Sequence, residues 1–211
     1  MTIQLKSVFL SAALAALILP AAAQSTDSAT TPAQPAPTTT KEQNVQHRAH
    51  AQQTRIANGI KTGELTSGEA ASLEKQESKL NKEATAMKAE DNGKLTAADR
   101  AKLEQQQNKL SKEIYQQKHD AQTQNTNPTT EVGKRAENEQ DRIANGVASG
   151  QLTAGEAARL ENQQKNLHNE VAADRAANGG KLTPAERAKV NRQQNRTSRN
   201  IYHQKHDAQH R

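Results

Sequence analysis

Gly63-Glu64-Leu65-Thr66-Ser67-Gly68-Glu69 reads as the point where one helix stops and the next begins. Its pattern, G-x-L-T-x-x-[E/D], returns at Gly93, Gly150 and Gly180. Thr66, Thr96, Thr153 and Thr183 are the expected N-caps, because a threonine hydroxyl accepts from a free backbone N–H of the first turn. Three residues on stand Glu69, Asp99, Glu156 and Glu186. A glutamate there reaches back to the N-cap N–H and closes a capping box; Asp99 is shorter and less suited. Pro184 falls at a first helical position, where no backbone donor is lost. The glycines that open the pattern suit the left-handed end of a preceding helix.

The whole arrangement is duplicated. Arg55-Ile56-Ala57-Asn58-Gly59 returns as Arg142-Ile143-Ala144-Asn145-Gly146, and Lys118-His119-Asp120-Ala121-Gln122 as Lys205-His206-Asp207-Ala208-Gln209, both offset by 87 residues. A weaker 30-residue repeat, carried by the capping pattern, lies inside each copy. Internal repetition sets the fold. We read an all-α chain of two tandem units of antiparallel helical hairpins, about three helices each, elongated and thin in the core. The expected helices span about residues 42–58, 67–91 and 97–121, then 131–145, 154–178 and 184–208. Unit one covers 42–122, a polar linker 123–131, and unit two 132–211.

The apolar seam is narrow. Leu73, Leu80 and Met87 mark it in the second helix, and Leu103, Leu110 and Ile114 in the third. Leu160, Leu167, Val171, Val190 and Ile201 are the counterparts, with Thr197 where Leu110 stood. A spacing near seven is that of helices packed side by side. Polar pairs interrupt the seam at Gln76-Glu77, Gln106-Gln107, Gln163-Gln164 and Gln193-Gln194. Only 32% of the chain is hydrophobic and 1% aromatic, so no core wide enough for an enclosed pocket is expected, and association of copies through the seams is plausible.

Residues 1–23 read as a secretory signal peptide, with Lys6, a short apolar run from Val8 to Leu19, and small residues at Ala21-Ala22-Ala23. The run is too short to span a bilayer. The mature chain is therefore expected in the periplasm or secreted, with no transmembrane segment. Residues 24–41 form a Thr/Pro/Ala linker with little to bury. With no cysteine, the chain has neither disulfide nor lipid-anchoring thiol.

The two-unit pattern, together with Ile-Tyr-x-x-Lys-His at Ile114 and Ile201, resembles a group of small secreted bacterial proteins of unknown function. That resemblance implies no activity. The capping pattern also resembles the second half of an EF-hand loop. In that register Lys88 and Arg175 occupy the first ligand position of two copies, and Ile60, Val147 and Ala177 the third of three. A calcium loop needs oxygen ligands early. Helix capping accounts for the shared half.

The most informative surface lies on the last helix. Lys189, Arg192, Arg196, Arg199, His203, His206 and His210 fall at steps of three and four, on one face and next to the apolar seam. Such a stripe suits phosphate or carboxylate on an anionic envelope polymer, or a protein partner. Lys102, Gln105, Lys109, Lys112, Gln116 and His119 are its diluted counterpart. The formal net charge of +6 supports mild polyanion affinity, and without a base-reading motif no specific nucleic-acid recognition is expected. His203, His206 and His210 also have the spacing of a weak transition-metal site. No catalytic residues and no cofactor are read. The expected function is a non-enzymatic interaction module, with ion binding as the alternative.

Overall fold

In a computed structural model, residues 40–210 are described. The expected signal peptide and nearly all of the Thr/Pro/Ala linker lie outside them. The described chain is all-helical, with six helices and no strand. They are α1 (Thr40–Thr62), α2 (Ser67–Glu90), α3 (Ala97–Lys118), α4 (Glu131–Ser149), α5 (Ala154–Ala177) and α6 (Pro184–Lys205).

The threonines cap as their chemistry dictates. Thr66, Thr96, Thr153 and Thr183 accept from the backbone N–H three residues on, and Glu69, Asp99, Glu156 and Glu186 accept in return from the N-cap N–H. Asp99 closes its box as fully as the glutamates, with the Thr96 N–H 2.9 Å from Oδ2. Two bonds into Thr96, the hydroxyl first and then the backbone, hold the Asp99 carboxyl below its usual range. A fifth N-cap, Thr130, starts α4.

α1 and α4 run four residues beyond the expected ends. Gly59 and Gly146 were expected near helix ends, yet both are helical and buried. The left-handed glycines are Gly63 (φ 73°) and Gly150 (φ 76°). Gly59 serves a close approach instead: a Cβ there would lie 2.7 Å from Leu65 Cδ1. The Leu65 N–H reaches back to the Gly59 carbonyl at 3.0 Å, and Leu152 does the same to Gly146. Each turn thus folds its leucine onto the glycine and buries it.

The two repeats are not separate bundles. The described residues make one compact unit, and the most extensive helix pairings, α2 with α5 and α1 with α4, run between repeats. Gly68 sits against Lys165, and Gly155 against Ser78. Each contact is the other shifted by the repeat offset, so a local two-fold relates the copies and α2 runs antiparallel to α5. Ala57 joins the apolar cluster of the second repeat, while Ala144 joins that of the first.

The first repeat has one continuous core, from Val45 through Leu73 and Leu110 to Ile114. The second has two clusters, one around Ile143, Leu160 and Ile201 and one around Leu167, Val171 and Val190. Thr197, buried where the first repeat has Leu110, stands on α6 between Val190 and Ile201. A hydroxyl methyl there bridges less apolar surface than an isobutyl group.

Candidate functional site: the buried polar layer and the basic face of α6

The seam's polar residues are not gaps. Glu77, Gln107, Gln164 and Gln194 are buried, each four residues after a core leucine or valine. Gln107 donates to the Val45 carbonyl at 2.9 Å and Gln194 to the Val132 carbonyl at 2.8 Å, the same bond in each repeat. Both bonds tie the third helix of a repeat to the start of its first. A buried amide needs such partners, because an unpaired one costs about 1–3 kcal/mol.

A second group of buried polar residues stands where the repeats meet. Gln53 donates to Glu74 at 2.8 Å, and its counterpart Gln140 to Glu161 at 3.0 Å. Gln140 also reaches across the repeats to the Ser67 hydroxyl at 2.8 Å. Gln164 donates to Glu139 at 2.7 Å. Burial pushes the Glu139 carboxyl up to about 6, against hydrogen bonding from Gln164 and the charges of Arg135 and Arg142. Burial pushes Glu161 up to about 8, against hydrogen bonds from Gln140 and Ser67. At neutral pH Glu161 is therefore a neutral acid, which lowers the cost of placing it there. The heptad register already marks Glu77, Gln107, Gln164 and Gln194 in the sequence as polar interruptions of the seam, whereas the buried Glu74, Glu139 and Glu161 carry no such signal.

The basic residues of α6 stand apart from this layer. Val190, Gln194, Thr197 and Ile201 face inward, while Arg192, Arg196, Arg199 and His203 are exposed. At 100° per residue these two sets lie on opposite sides of the helix. The stripe therefore points away from the seam rather than lying beside it. Lys189 is tied to Glu170 at 3.0 Å. That bond raises its ammonium above the usual range. Arg192, Arg196 and Arg199 form no ion pair among the described residues. The unit-one counterpart is equally exposed, and its Lys102 is tied to Glu83 at 2.7 Å.

Tyr202 is 56% exposed beside the stripe, its ring stacked on His206 with centroids 4.2 Å apart. The same stack joins Tyr115 and His119. His206 caps the end of α6, and its Nδ1 lies 2.7 Å from the Tyr202 carbonyl oxygen. His210 lies past the helix end and lines a groove with Ser78, Leu80 and Arg159. The helical spacing of the three histidines thus ends at His206. Among the described residues no group of three or more His, Cys, Asp or Glu is gathered as a metal site would be. In the EF-hand register Asn58, Ile60 and Thr62 lie within α1. There the Glu69 carboxylate accepts from the N–H and hydroxyl of Thr66, both at 2.8 Å.

No described helix is long and apolar enough to cross a membrane. The chain matches no known protein family, no curated protein and no solved structure.

Proposed function

We propose that this chain is a non-enzymatic helical repeat protein, exported to the periplasm or beyond, which holds anionic envelope polymer on the outer face of α6. The observation that carries this reading is the set Arg192, Arg196, Arg199 and His203, exposed on one side of a helix whose other side is buried. Arginine forks match phosphate and carboxylate oxygens. With Lys189 engaged by Glu170, the three arginines carry the attraction. The export step rests on the signal-peptide pattern of residues 1–23. The buried carboxylates support a structural rather than catalytic role, since Glu74, Glu139 and Glu161 are each bonded to a glutamine amide in the protein interior.

Retention on immobilised heparin and on lipopolysaccharide tests the proposal. The variant R192Q/R196Q/R199Q should elute at clearly lower salt than the parent chain. Unchanged elution would remove the stripe from the account. Because the arginines are exposed, the variant should keep its helical circular dichroism.

A further inference from the structure

The local two-fold gives each repeat a groove, and the two grooves differ in charge. One lies between α1, α2 and the start of α5, an open groove of about 1080 Å³. Its mate, about 810 Å³, lies between α4, α5 and the start of α2, and residues 122–125 and 128–130 of the linker form part of its wall. The larger groove has Arg159 where its mate has Ser72, Lys82 where its mate has Asn169, and His50 where its mate has Glu137. Glu69 and Glu137 line the mate, whereas no Asp or Glu lines the larger groove. Its walls include Val45, Ala49, Leu80, Ala84 and Ala89. It therefore pairs an apolar floor with a rim of one sign.

The positive end can be placed. Gly155, in the first turn of α5, sits against Ser78, and a Cβ on it would be 3.1 Å from the Ser78 hydroxyl and 3.9 Å from Arg159 Nη1. Lys82 is one helical turn beyond Ser78. Arg159 and Lys82 thus stand beside the start of α5, whose own N–H groups are engaged by the Thr153–Glu156 capping box, so the two side chains supply the charge. Neither cation is in an ion pair among the described residues; Arg159 bonds only to the neutral Gln204, at 3.3 Å. Leu80 and Ala84, one turn apart on α2, pack with Val45 of α1 in the core cluster that forms the groove's floor.

We propose that this groove binds a single-chain anionic amphiphile, its acyl chain on the alanine and leucine floor and its carboxylate or phosphate head at Arg159 and Lys82. Charge complementarity favours an acid head over a neutral one. The floor includes Ala49, Ala84 and Ala89, small side chains that suit one chain rather than a packed helix. The site lies off the α6 stripe and does not depend on the polymer-binding proposal.

Titration calorimetry of the full chain with sodium laurate, dodecyl phosphate and dodecyl maltoside, each below its micelle concentration, tests it. Laurate or dodecyl phosphate, whichever head the site prefers, should saturate one site, and the maltoside should bind about tenfold weaker, the factor expected for losing one charge-assisted bond. K82Q/R159Q should lose a similar factor, and Ala89→Trp, an exposed position on the groove wall, should block the chain while circular dichroism stays unchanged. R192Q/R196Q/R199Q should bind both acids as the parent does. No saturable heat, many molecules per chain, equal affinity for the maltoside, or displacement of laurate by an acidic amphipathic peptide at lower concentration would each overturn the proposal.

Discussion

Gln140 of the second repeat donates to the Ser67 hydroxyl of the first at 2.8 Å, and both residues are buried. The same amide holds Glu161, whose carboxyl burial pushes up to about 8. The junction of the repeats is thus built on an acid that stays protonated at neutral pH.

The pH dependence follows from the sign of that shift. Below the ordinary carboxyl value near 4.5 the group is protonated in both folded and unfolded chains, and its stabilising effect is fully present. As pH rises, the unfolded chain ionises first, so stability is lost up to about pH 8. Glu139, pushed up to about 6, adds a loss over a lower window. The melting temperature should therefore fall between pH 7 and pH 9, above the range in which half-buried His168, its imidazole pushed below the usual value, acts in the opposite sense. Glu161→Gln keeps the shape and removes the charge, so its melting temperature should fall less. A parent curve rising over that range would contradict the assignment.

Thr197→Leu should join the two apolar clusters of the second repeat, as Leu110 does in the first. Urea unfolding should show a gain of about 1 kcal/mol. The reverse change, Leu110→Thr, should cost more than this, since it also places an unpaired hydroxyl in the continuous core.

The turn glycines should not respond alike. Gly93 (φ 85°) has open space around it, so Gly93→Ala should cost about 1 kcal/mol from the left-handed backbone alone. At Gly63 a Cβ would lie against the Gln124 carbonyl oxygen, and Gln124 N–H donates to the Gly63 carbonyl at 2.8 Å. Gly63→Ala should therefore cost more than Gly93→Ala and loosen the linker from its turn. Thermal melts of the two variants, with amide exchange at Gln124, distinguish them.

Much of the fold was legible because its signals are local. A threonine followed three residues later by a carboxylate fixes a helix start wherever it occurs, and four such marks fixed four starts. Three matters escaped the sequence because they depend on what comes near in space. The first helix, expected to stop at about residue 58, runs on to Thr62, and no local signal shows that Leu65 needs the missing Cβ of Gly59. Glu74 and Glu161 are buried, although no local rule shows that another repeat will cover them. The basic stripe was placed beside the seam, whereas its arginines project from the opposite side of α6. For the candidate site, residue types and spacing were readable; the pairing of Lys189 with Glu170 and the charge difference between the grooves were not.

The central claim is that the outer face of α6 holds anionic polymer through its arginines. Its most direct test is the affinity of the chain for lipopolysaccharide across a salt series, measured beside R192Q/R196Q/R199Q. Binding by ion release should weaken steeply with salt in the parent chain and along a distinctly shallower line in the variant. Two parallel lines, or binding indifferent to salt, would contradict it.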